Sequence, residues 1–74
     1  MRSNLQRKRW LGTVRAYDDF GKPIINSFID GKVRGGPWAI MTPETHHMHG
    51  VGLGIGKGQL YRRDPADDVW YKIG

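Results

Sequence analysis

Cysteine is absent from all 74 residues. That removes disulfides and thiolate metal sites from consideration. Long apolar runs are missing too: none approaches the roughly 20 residues of a bilayer span. The basic N-terminus is not followed by the apolar core of a signal peptide. These features lead us to expect a soluble, cytoplasmic protein without a membrane partner. Catalytic sets are equally scarce. Ser3 and Ser27 have no base beside them, and Asp64, Asp67 and Asp68 crowd one turn as solvated charge. A chain this short also struggles to build the shaped pocket that acid–base work requires. We expect a protein that is not an enzyme and needs no cofactor.

Acid is missing from the first fifteen residues, which carry Arg2, Arg7, Lys8, Arg9 and Arg15. The rest of the chain holds seven bases against seven acids, so the net charge of +5 belongs to the N-terminal stretch. A basic arm on a neutral body suits a polyanionic partner. Residues 1–9 read as the arm and 10–74 as one small domain.

A domain this small has a marginal core and depends on aromatics or on a partner to reinforce it. Trp10 to Tyr17 is rich in strand formers. Asp18 to Pro23 is a turn. Ile24 to Ile29 is a β-rich run, and Asp30-Gly31 after it predicts a two-residue hairpin turn. Gly35-Gly36-Pro37 then reads as a bulge or bend in the returning strand, which continues through Trp38 to Met41. Thr42 predicts a helix N-cap, with Pro43 at the first helical position and Gly50 ending a short helix. Gln59 to Arg63 and Val69 to Ile73 predict a closing strand pair. The expected core comprises Tyr17, Phe20, Ile25, Phe28, Val33, Trp38, Ile40, Val51, Leu53, Tyr61 and Trp70.

Three motifs bear on chemistry. In Gly50 to Gly58 every second residue is glycine. Either Val51, Leu53 and Ile55 face the core while glycines admit close packing, or Gly54, Gly56, Lys57 and Gly58 form an anion-binding nest. The aliphatic alternation favours the structural alternative. His46, His47 and His49 are candidate metal ligands, but no second ligand cluster completes a tetrahedral site; helix C-terminal histidines suit the helix dipole without any metal. Basic and aromatic residues interleave at Arg7-Lys8-Arg9-Trp10, at Tyr61-Arg62-Arg63 and at Trp70-Tyr71-Lys72, a pattern that fits bases stacking on rings while cations hold phosphates. Arg2, Arg7, Lys8, Arg9, Trp10 and Arg15 are the expected nucleic-acid contacts: the five cations would neutralise phosphates, and packing needs Arg7, Lys8, Arg9 and Trp10 least.

The run Asp30-Gly31-Lys32, Gly36-Pro37-Trp38-Ala39-x-Met41, His46, and Gly50-Val51-Gly52-Leu53-Gly54-x-Gly56-x-Gly58-Gln59-x-Tyr61 resembles small, uncharacterised zinc-ribbon-like proteins of bacteriophages and mobile elements. The resemblance covers about residues 17–74. Those proteins carry two Cys-x-x-Cys pairs, and the corresponding positions here are Tyr17, Phe20, Thr42 and Thr45. With the ligands gone, the resemblance implies a metal-free ribbon in which Tyr17 and Phe20 form an aromatic plug and Thr42 and Thr45 cap a turn.

The expected fold is therefore mainly β: a small zinc-ribbon-like domain without metal, with two hairpins and one short helix or helical turn. The expected function is an accessory protein of a phage or mobile element that binds DNA or RNA through its basic arm. One alternative is a phage-encoded inhibitor docking on an acidic host-protein surface, possible as an oligomer. A second is a nucleotide- or phosphate-binding protein that uses the glycine run.

Overall fold

The computed structural model describes residues 8–74; Arg2 and Arg7 lie outside the described residues. Strands β1 (Ser27–Lys32), β2 (Trp38–Met41), β3 (Gly58–Asp64) and β4 (Val69–Lys72) form one antiparallel sheet in the order β2-β1-β3-β4. Helix α1 (Pro43–His49) packs on β1 and β2. The protein is mainly β, with β1–β2 and β3–β4 as its two hairpins. No helix among the described residues is long and apolar enough to cross a membrane.

The helix forms where its signals place it. Thr42 is the N-cap and its hydroxyl accepts from the Thr45 amide at 3.3 Å. Pro43 opens the first turn, where its missing N–H costs nothing. Gly50 stops the helix, its amide donating to the His46 carbonyl. Gly50 also lies directly beneath the His46 ring, leaving no room for a side chain.

The first hairpin turns later than Asp30-Gly31 predicts. Asp30 and Gly31 are inside β1, paired with Ile40 and Ala39 on one side and with Gln59 and Gly58 on the other. The reversal falls at Arg34 to Pro37, where Gly35 has φ +68° and the Val33 amide donates to the Pro37 carbonyl. Gly31 serves close approach instead of turning. A Cβ there would lie 3.0 Å from the Lys57 carbonyl and 3.3 Å from the Gly58 Cα. Gly58 is its counterpart, with a Cβ position 3.2 Å from the Gly31 Cα. The two glycines let β1 and β3 meet where side chains would collide.

A central strand is covered on both faces, and that decides the core. β1 buries Phe28 on one face and Ile29 on the other; Met41 and Tyr71 complete the fully buried set. Val33, Ile40, Tyr61 and Trp70 are half-buried. Tyr17, Phe20, Ile25, Trp38, Val51 and Leu53 are exposed, contrary to expectation. Ile25 precedes the strand, which begins only at Ser27. Residues 10–17 form no strand; Arg9 and Tyr17 make isolated bridges to Tyr71 and Pro23.

The expected aromatic plug is absent as well. Tyr17 is 60% exposed and Phe20 40%, with the Phe20 ring stacked on His49 at 4.5 Å. Asp18, between them, does the joining. It is only 5% exposed. Its Oδ1 accepts from the amides of Phe20 and Lys22, and its Oδ2 accepts from the Thr42 amide and the Thr45 hydroxyl. A single carboxylate ties the 18–22 turn to the start of α1.

Candidate nucleic-acid interface

Residues 8–10 run along the outer side of β4. The Lys72 amide donates to the Lys8 carbonyl at 2.8 Å, the Trp10 amide donates to the Trp70 carbonyl at 2.9 Å, and Arg9 bridges Tyr71. Strand alternation then separates the basic stretch. Lys8 and Trp10 lie on the face of Lys72, Trp70 and Tyr61. Arg9 lies on the opposite face with Tyr71 and Arg62.

On the first face, Lys8, Lys72, Tyr61 and Gln59 together with Gly54 and Ile55 of the glycine loop line an open concavity of about 520 Å³. Tyr61 is held upright by its neighbours. Phe28 stacks beside it at 5.2 Å, and the Trp10 ring meets it edge-on at 5.3 Å. Burial, reinforced by the charge of Asp30, pushes the Tyr61 hydroxyl up from its ordinary value, so it is a neutral donor at physiological pH.

Trp10 is therefore a packing residue rather than a free stacking platform. It contacts Phe28 and Tyr61, and its Nε1 is buried with no hydrogen-bond partner among the described residues. Arg15 is drawn off by Asp19 at 2.6 Å, although both side chains remain exposed and such a pair is worth little. The other ion pairs among the described residues are Lys22–Glu44 and Arg63–Asp68. Lys8, Arg9 and Lys72 stand outside them.

The glycine run closes on itself. Gly52, Gly54 and Gly56 all have positive φ. The Gly54 amide donates to the Gly58 carbonyl at 2.7 Å, while the amides of Lys57 and Gly58 both donate to the Gly54 carbonyl. These internal bonds occupy three of the N–H groups that an anion nest would use. Among the described residues, the Ile55 and Gly56 amides have no acceptor. Val51, Leu53 and Ile55 do not face the core; Ile55 stands fully in solvent at the loop tip. Lys57 does not line the concavity, and its side chain lies against Gly52.

The histidines diverge. His46 Nε2 is 3.0 Å from the Gly52 carbonyl, His49 stacks on Phe20, and His47 is exposed. Tyr17, Phe20, Thr42 and Thr45 supply no thiolate or imidazole. No group of three or more His, Cys, Asp or Glu among the described residues is placed to hold a metal.

Comparison with protein-family models, curated proteins and solved structures finds no match.

The geometry thus joins Lys8 from the basic stretch with Gly54 from the glycine run, and leaves Arg9, Arg15 and Lys57 elsewhere. It adds Lys72, Gln59 and Tyr61, which sequence reasoning passed over as site residues. A signal for them existed: Gln59, Tyr61 and Lys72 alternate on strands that pair, so Tyr61 and Lys72 become direct neighbours once the register is known.

Proposed function

We propose that this is a non-enzymatic nucleic-acid-binding protein whose contact surface is the concavity between the aromatic sheet face and the glycine loop. The observation that carries the proposal is Lys8 set beside Lys72 across the sheet edge, with neither in an ion pair. Like charges facing each other across strands destabilise a sheet. The arrangement is relieved by an anion between them, and a phosphate is the anion of the right charge. Tyr61 and Gln59 in the same recess add a ring edge and an amide for the base that follows. A recess of this kind receives an unpaired strand, whose bases are free to enter it, better than it fits around a duplex.

Fluorescence anisotropy with labelled single-stranded octamers tests this. The logarithm of affinity is expected to fall with log salt at a slope of about −0.7 for each phosphate neutralised. A salt-independent affinity, or no binding to any octamer at low salt, would overturn the proposal. A partner retained from nuclease-treated lysate in place of nucleic acid would point to an acidic protein surface instead.

A further inference from the structure

Asp30 lies on the aromatic face of β1, one strand in from the concavity and behind its lining residue Gln59, with no partner among the described residues. Its cross-strand neighbours are Ile40 on β2 and Gln59 on β3, and Gln59 lines the concavity. Its charge is felt by Tyr61, the next residue along that face of β3. The side chain is half-buried, and among the described residues no donor bonds its oxygens and no cation pairs with it. Burial alone pushes its carboxyl up from the ordinary value. An unpaired, partly buried carboxylate carries a desolvation cost, and natural structures normally satisfy such groups. Here it stands beside a surface organised around two lysines. It repels phosphate, so it is not part of the phosphate contact. It is an acceptor waiting for N–H groups that come with the ligand.

We infer that Asp30, with Gln59 alongside, reads the Watson–Crick edge of a guanine entering the concavity. The inference rests on the nucleic-acid reading above. Guanine is the base whose Watson–Crick edge places two donors side by side, N1–H and the N2 amino group, matching the two oxygens of a carboxylate. The adjacent O6 is an acceptor, which the Gln59 amide can serve by donating. Adenine and cytosine present one amino group next to a ring nitrogen lone pair, which would face the second carboxylate oxygen. Uracil and thymine set a single N–H between two carbonyls. Bidentate pairing of this kind discriminates between bases by about tenfold or more.

The test uses uracil octamers with a single central guanine, inosine, adenine or cytosine, and thymine octamers with the same set in DNA. The guanine octamer is expected to bind about tenfold more tightly than the homopolymer, in both RNA and DNA, because the edge read is common to both. Inosine keeps N1–H and O6 but lacks the amino group, and its octamer is expected to lose most of the gain. Asp30→Asn is expected to abolish the guanine preference without weakening homopolymer binding, which should rise slightly because a charge that repels phosphate is gone; a loss of homopolymer affinity in this variant would overturn the assigned role. Equal affinity for guanine and inosine octamers in the unmodified protein would overturn the inference, and needs no variant to fold. Homopolymer binding that persists while guanine gains nothing refutes base reading alone; absence of binding to every octamer refutes the interface as well.

Discussion

The Thr45 hydroxyl donates a 2.7 Å hydrogen bond to the Oδ2 of Asp18, 27 residues earlier in the chain. That oxygen also accepts from the Thr42 amide at 2.8 Å, and the other takes the amides of Phe20 and Lys22 at 2.9 Å each. The turn at residues 18–22 and the start of α1 are far apart in the chain. In the fold they are joined by one carboxylate with four donors. A neighbouring bond extends the seam: Asp19 Oδ2 accepts from the Ile40 amide at 2.7 Å, which ties the same turn to the outer strand.

Replacing Asp18 by Asn tests how much this junction contributes. The amide keeps one acceptor oxygen but turns an NH₂ group toward two donors, and it removes the charge. Hydrogen bonds to charged groups contribute about 1.5–3 kcal/mol each, so Asp18→Asn is expected to destabilise by about 3 kcal/mol in urea unfolding. Thr45→Val should cost less, about 1–2 kcal/mol, because it removes one donor and leaves three. A variant with an unchanged midpoint would show that the junction is incidental to stability.

Acid stability follows from the same carboxylate. Burial pushes the Asp18 carboxyl up, but its hydrogen bonds to Thr45, Thr42, Lys22 and Phe20 outweigh burial and hold it at about 2, below its ordinary 3.8. A depressed value means that the stabilisation is present above the unfolded pKa and is lost as pH falls. We expect about 2 kcal/mol to disappear between about pH 4 and pH 2. Asp30 works in the opposite sense: its raised carboxyl contributes stability only once protonated, so it gains slightly as pH falls. Urea midpoints measured from pH 6 to pH 2 should therefore drop in the native protein and drop less in Asp18→Asn.

Much of the fold is legible in the residues themselves. Thr42-Pro43 and Gly50 bracket the helix because capping is local, and the strand pair around Asp64 to Asp68 follows from the same kind of local turn chemistry. The Asp30-Gly31 pair misleads because a hairpin signal and a close-packing glycine look identical until it is known that Gly58 lies opposite. The exposed Val51, Leu53 and Ile55 mislead for a related reason: alternation implies a face, but positive φ at Gly52, Gly54 and Gly56 curls the segment into a loop that has none. Asp18 was invisible because its four donors come from two distant stretches of chain. The concavity depended on register in the same way. Lys8 and Lys72 are 64 positions apart and meet only because residues 8–10 extend the β4 edge.

The glycine pair gives a packing prediction. At Gly58 a Cβ would sit 3.0 Å from the Gly52 carbonyl and 3.2 Å from both the Gly31 Cα and the Ile29 Cγ2. Backbone atoms on the partner strand cannot step aside as a side chain tip can. Gly58→Ala and Gly31→Ala are each expected to lower stability by about 1–3 kcal/mol, the usual penalty of overpacking. Gly54→Ala meets nothing within 4 Å but must adopt φ +113°, so its cost is conformational. Thermal unfolding of the three variants separates the two causes: only the first two should be rescued in part by Ile29→Leu, which removes the β-branch methyl Cγ2 that lies close to both sites.

The last prediction concerns which cations matter. Were binding a matter of overall charge, every basic residue would contribute alike. The geometry says otherwise. Lys8 and Lys72 line the recess, Arg15 is engaged by Asp19, and Lys57 lies along Gly52 outside the recess. Lys8→Ala and Lys72→Ala should each weaken octamer binding several-fold and reduce the salt slope by about 0.7, the share of one single-strand phosphate. Arg15→Ala and Lys57→Ala, which remove the same formal charge, should leave the slope in place. Anisotropy titrations at two salt concentrations across the four variants decide the matter. Equal losses in all four would mean that charge acts from a distance and that the recess is not the contact.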